Sequence, residues 1–186
     1  MSRPGVKRIV VCIGGSIAAY KSCDLVSKLV QAQHEVDVVM TTAAERFVRP
    51  LSFAALTHRP VFTDAAWFEG AGGARSPADH LHATEKADLL VVAPCTANLI
   101  GKFAHGIADE IVSTTVLGAS CPVLLAPAMN YRMWGNRRVQ ANVQTLRADG
   151  FEFVGPESGY LAEAESGPGR MSEPADIAAT IERLTA

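Results

Sequence analysis

Short runs of Val, Ile and Leu, alternating with stretches of helical periodicity, constrain this chain more than any other feature. "KRIVVCI" (7–13), "EVDVVM" (35–40), "DLLVVAP" (88–94) and "CPVLLAP" (121–127) read as buried strands, and "FEFVG" (151–155) as a fifth. Between them, "SIAAYKSCDLVSKLVQAQ" (16–33) is helical and "TAAERFV" (42–48) opens a helix. "RRVQANVQTLRADG" (137–150) is a helix ending at a glycine, and "PADIAATIERLT" (174–185) is a last helix with proline in its first turn. Strands apolar on both faces and alternating with helices fold as a parallel sheet covered on both sides. The expectation is one α/β domain over residues 1–186. Such sheets bind ligands beyond the carboxyl ends of their strands, where the strand order reverses. Two segments break the alternation, 64–79 and 155–173. Their Gly, Ser, Pro and acidic residues read as mobile loops.

Composition narrows the class. A net charge of −2 gives no electrostatic footprint for nucleic acid. No uninterrupted apolar run reaches the roughly 18 residues of a membrane span. The start reads as a first strand rather than a secretory signal. Cys12, Cys23, Cys95 and Cys121 have no C-x-x-C spacing and read as reduced thiols of a cytoplasmic protein. The chain is 48% hydrophobic and 19% charged, which suggests surface buried between subunits.

Four strand ends carry the candidate chemistry. In "GGSIAAYK" (14–21), glycines before Ser16 suit a phosphate seat of backbone N–H groups and a hydroxyl at a helix start. An ordinary turn capped by Ser16 reads equally well, and the third glycine of the dinucleotide fingerprint is missing. In "MTTAAERF" (40–47), Thr41 and Thr42 are either caps or ligand contacts. In "APCTANLIGKFAHGIADEI" (93–111), small and polar residues follow a strand; a capped helix explains them as well. In "LLAPAMNYRMWGN" (124–136), Met129, Met133 and Trp134 suit a core, but a buried Asn130 amide needs partners.

Together these stretches resemble the flavin-containing cysteine decarboxylases, which include phosphopantothenoylcysteine decarboxylases of coenzyme A synthesis and peptidyl-cysteine decarboxylases of lantibiotic-type pathways. The residues that carry the resemblance are "GGSIAAYK", "PCTANL" (94–99, where the family usually has PASANT) and the complete P-x-M-N-x-x-M-W set Pro127, Met129, Asn130, Met133 and Trp134. A clamp ending G-x-G-R-M is present as Gly167, Gly169, Arg170 and Met171. The resemblance implies a flavodoxin-like subunit that forms trimers, often packed into dodecamers, with noncovalent FMN between subunits. It implies FMN contacts from Gly14, Ser16, Thr41, Phe47, Thr96, Ala97, Asn98 and Met129, with Asp109 reaching in from a neighbour. It implies that Asn130 holds the substrate carboxylate and that Met133, Glu163, Arg170 and Met171 border the substrate. His80 of "DHLHATEKAD" matches the family's catalytic histidine, with His82 offset by two. Metal ligation by the two histidines is not expected, because no further ligand follows at metal-site spacing.

The implied chemistry is oxidation of the cysteinyl Cβ–S unit by flavin to a thioaldehyde, an electron sink that releases carbon dioxide and leaves an enethiolate. In the coenzyme A branch a clamp cysteine commonly helps reduce that enethiol. Glu163 occupies its place here, and no fused ligase segment is read in the sequence. Both features lean towards an oxidative enzyme acting on the C-terminal cysteine of a peptide. Phosphopantothenoylcysteine is the alternative substrate. An electron carrier, a flavin prenyltransferase and a non-catalytic regulatory subunit are weaker alternatives. The first needs no Asn130 pocket, the second lacks the asparagine motif, and the third usually carries an acidic tail.

Overall fold

The computed structural model describes residues 5–65, 84, 86–160 and 166–186. His80, His82, Glu163 and most of the expected loop at 64–79 lie outside the described residues.

Strands β1 (Arg8–Ile13), β2 (Glu35–Met40), β3 (Val61–Thr63), β4 (Leu89–Cys95), β5 (Val123–Pro127) and β6 (Glu152–Phe153) form one sheet in the order β3-β2-β1-β4-β5-β6. Every adjacent pair is parallel. Without the three-residue edge strand β3, the order is that of a flavodoxin-like sheet, as expected. Because the sheet is covered on both faces, its strands bury consecutive residues. Ile9, Val11, Ile13, Leu89 and Val91 pack into one core with Leu25, Leu29, Phe53 and Ile177. Val10, Cys12, Leu90, Val92 and Leu125 pack into another with Leu99, Ile100, Val112 and Leu146. Each fully buried aliphatic side chain contributes about 1.5–3 kcal/mol.

Three sequence expectations change. The first helix begins at Ala19, because Ser16 to Ala18 form a separate turn. Residues 42–48 make only a short turn of 3-10 helix, Ala44–Arg46, and the helix proper starts at Pro50 and runs to Thr57. The segment 155–173 contains an antiparallel hairpin, β7 (Glu157–Tyr160) and β8 (Ser166–Arg170). The glycines there serve close packing. A Cβ at Gly167 would stand 2.8 Å from the Tyr131 Cβ, and one at Gly169 would stand 2.1 Å from the Met129 carbonyl oxygen.

Among the described residues no helix is long and apolar enough to cross a membrane, and no cluster of His, Cys, Asp and Glu is placed to hold a metal.

Candidate functional site

The strand order reverses between β1 and β4, and a cleft of about 320 Å³ lies beyond their carboxyl ends. That size falls within the roughly 300–1,000 Å³ of small-molecule sites. Its walls come from the turns after four strands. Gly15 and Ser16 follow β1, and Thr41 and Ala43 follow β2. Thr96, Ala97, Asn98 and Leu99 follow β4, and Ala128, Met129 and Met133 follow β5.

The turns meet closely because two glycines allow it. Gly14 donates its N–H to the Pro94 carbonyl at 3.1 Å, and a Cβ on Gly14 would stand 2.5 Å from that oxygen. A Cβ on Gly15 would meet the Ala43 Cβ at 2.4 Å.

The polar groups share one arrangement. The Ser16 Oγ accepts from the Ala18 N–H at 3.3 Å, and the Thr41 Oγ1 accepts from the Ala44 N–H at 3.0 Å. The Thr96 Oγ1 caps the helix Ala97–Ala104 by accepting from the Leu99 N–H at 3.3 Å. The Asn130 Oδ1 caps the short helix Tyr131–Trp134 by accepting from the Arg132 N–H at 2.8 Å. Each oxygen is thus engaged with backbone, which leaves the hydroxyl O–H groups of Ser16, Thr41 and Thr96 as donors in the cleft and the Asn130 Nδ2 as a donor beside it. Capping and ligand contact are therefore not rivals at these residues. Donors around an apolar floor of Leu99, Ala128 and Met129 suit a flat ligand that carries acceptors or negative charge. Both the cradle that a Cβ would fill and this donor set fit FMN.

Glu110 also faces the cleft and had not been singled out in the sequence. Its carboxylate accepts from the Ser113 N–H in a capping box that starts the helix Ile111–Leu117, and it takes an ion pair from Lys102 at 3.0 Å. Its reciprocal spacing with Ser113 is the signal that could have marked it. Burial would lower the Lys102 pKa, but hydrogen bonds to Asp109 and Glu110 more than offset this and raise it.

Asn130 stands next to Met129 but does not itself line the cleft, and five other expected site residues lie elsewhere in the chain. Met171 is 1% exposed and belongs to the core, because the chain turns inward after β8. Its side chain is therefore not part of the cleft lining. Arg170 turns to Glu173. Phe47 is exposed and does not line the cleft. Asp109 is exposed and paired with Lys102 at 2.7 Å, outside the cleft of its own chain. Gly14 lies beneath the lining rather than in it.

No thiol lines the described cleft. Cys12 and Cys95 are fully buried, and burial drives both far above the ordinary thiol value. Burial also raises Cys23 and Cys121, which pack against the two cores. The cleft can thus hold and orient a ligand, but it offers no thiol nucleophile among the described residues.

A family model described as Flavoprotein matches residues 2–186. The coenzyme A biosynthesis bifunctional protein CoaBC of Bacillus subtilis (strain 168) is 45% identical over 177 residues, covering 95% of this chain. The chain spans only 43% of that relative's length. A solved PPC decarboxylase mutant complexed with pantothenoylaminoethenethiol superposes with a TM-score of 0.86 at 28% identity, covering 96% of this chain and 98% of the other. The FMN-dependent cysteine decarboxylase SpaF gives a TM-score of 0.78 at 32% identity, covering 98% and 99%.

Proposed function

The chain belongs to the Flavoprotein family, and from that premise we propose that it is an FMN-dependent cysteine decarboxylase acting on phosphopantothenoylcysteine. One observation carries the choice of substrate. The 45% identity over 95% of this chain is to a coenzyme A biosynthesis protein, whereas the identity to the cysteine decarboxylase SpaF is 32%. The solved relative that carries pantothenoylaminoethenethiol, an enethiol, supports the same reading. This reverses the order of the two substrates expected from the sequence.

FMN supplies the redox chemistry when bound, and the chain holds it and aims the substrate. Ser16, Thr41, Thr96 and Asn98 donate to its polar groups, and Met129 packs on its ring. Asn130 donates Nδ2–H to the substrate carboxylate. The cap at Oδ1 fixes which end of the amide faces outward. His80 handles the proton. Assembly in threes is part of the proposal. Exposed Ile17, Tyr20, Phe47 and Leu51 are apolar side chains that such an assembly would cover. Light scattering that finds only monomers at micromolar concentration would remove that part.

The test is incubation of the flavin-loaded protein with phosphopantothenoylcysteine and, separately, with peptides ending in cysteine. Mass spectrometry should find carbon dioxide lost from the first and the second unchanged. Turnover of the peptides alone would replace this reading with the peptide one, which the likeness to SpaF supports.

A further inference from the structure

Lys21 ends the stretch "GGSIAAYK" but plays no part in the cleft. It sits on the helix Ala19–Gln31, and its side chain is only 10% exposed. A buried ammonium is costly unless it is paired and hydrogen-bonded. Its Nζ donates to the Glu173 Oε1 at 2.9 Å and to the Met171 carbonyl at 3.5 Å. Glu173 also takes the Arg170 guanidinium. Arg170 in turn lies across β7, where a Cβ on Gly159 would come within 3.1 Å of its Cδ. Residue by residue, β8 then reaches the cleft. Gly169, beside Arg170, accepts the Met129 N–H at 2.9 Å, and Gly167 abuts Tyr131. Met129 and Tyr131 flank Asn130.

We propose that Lys21 is a positioning residue, a buried latch that ties the β7–β8 hairpin to the first helix and so holds the Met129–Asn130 turn in register with the substrate. For its catalytic meaning this rests on the decarboxylase reading; the latch itself does not. A latch differs from a general structural contact. Lys21→Met keeps the length and removes the buried charge, and the Glu173 carboxylate left behind is half-exposed and still paired with Arg170, so no uncompensated charge is left buried. What it removes is the tie between two elements.

Hydrogen exchange on the flavin-loaded protein, with peptides covering 166–171 and 129–131, decides the point without any assay. Lys21→Met should speed exchange in both by roughly tenfold or more while β1 and β4 stay protected. Lys21→Arg, which keeps the charge and the donors, should restore slow exchange. With phosphopantothenoylcysteine, Lys21→Met should raise KM about tenfold with kcat and FMN content little changed. Unchanged exchange in the two peptides would overturn the latch. So would a rise spread evenly over the sheet, or an unmoved KM in an active enzyme. If Lys21→Met does not fold, Glu173→Gln carries the same comparison, since the Glu173 side chain is 42% exposed. If the wild type turns over neither substrate, the functional reading fails, while the exchange data still support or overturn the latch.

Discussion

The Met129 N–H donates to the Gly169 carbonyl at 2.9 Å, and the Met129 carbonyl lies where a side chain on Gly169 would have to go. Gly169 has φ +153°, a conformation other residues rarely adopt, so two independent restrictions fall on one position. This contact seats the hairpin on the turn that holds Asn130. Gly169→Ala should therefore lower the melting temperature as well as abolish decarboxylation, because the new Cβ must displace the Met129 carbonyl. A variant with normal KM and kcat would show that the hairpin does not set the Asn130 turn.

Asn130 gives a cleaner separation of structure from function. Its Oδ1 caps the short helix Tyr131–Trp134, and an aspartate caps equally well. Asn130→Asp should thus fold and bind FMN. It loses the Nδ2 donor and puts a carboxylate against the substrate carboxylate, so turnover should fall by at least about a hundredfold. Asn130→Ala loses the cap as well and should cost about 1 kcal/mol of stability. Retained activity in the aspartate variant, measured by carbon dioxide release, would move the carboxylate contact elsewhere.

The sheet was legible because its strands are Val, Ile and Leu runs buried on both faces, and no other element explains Ile9 to Ile13 or Leu89 to Cys95. The strand-end turns were legible for the same reason: small and polar residues stand where apolar runs stop. Phe53 and Val61 were missed because their helix and strand are short, with no clear period. The hairpin Glu157–Arg170 was missed because its glycines looked like loop composition. Their function is contact with Tyr131, Met129 and Arg170, far along the chain. Glu110 was passed over for Asp109, its neighbour, because sequence does not say which of two acids turns inward. Lys102 holds both.

Ser16 should act on cofactor binding alone. Its Oγ accepts from the Ala18 N–H within a local turn, its O–H is free to donate, and the residue lines the cleft. Ser16→Ala should weaken FMN affinity about tenfold, the scale of one hydrogen bond to a charged group. The melting temperature of the flavin-free protein should move little. Fluorescence titration with FMN reads the first and calorimetry the second. Unchanged affinity would place the anionic end of the ligand at another strand end.

Acid should release the hairpin before it unfolds the sheet. The hydrogen bond from Lys21, aided by Arg170, holds the Glu173 carboxyl below its ordinary value of 4.5. A carboxyl with a depressed folded value contributes its stability in full above the unfolded value and loses it as pH falls through the folded one. The window therefore lies below pH 4.5. The group is largely solvated, so the effect is local and modest. Exchange of peptide 166–171, corrected for intrinsic rates, should accelerate below that pH while β4 stays slow. Loosening that is complete by pH 6 would contradict the assignment to Glu173.

The last prediction concerns how the reaction ends. His80→Asn should keep FMN and lose about a hundredfold or more in turnover, as removal of a positioned acid–base group does, and His82→Asn should matter far less. Reduction of the enethiol needs a second proton donor. The four thiols do not line the described cleft, and the sequence resemblance implies that Glu163 takes the place of the coenzyme A branch's clamp cysteine. If phosphopantothenoylcysteine loses carbon dioxide alone, anaerobically and over many turnovers, hydride and proton return to the product and the flavin cycles unaided. A group other than a cleft thiol then donates that proton. Glu163→Gln should slow this step and let a product accumulate that lacks two further hydrogens. If the wild type itself yields that oxidised product and needs an external oxidant for each turnover, the enzyme stops at the enethiol. Glu163→Cys should then shift part of the product to the reduced form. A product ratio untouched by either substitution at Glu163 would remove that residue from the proton path.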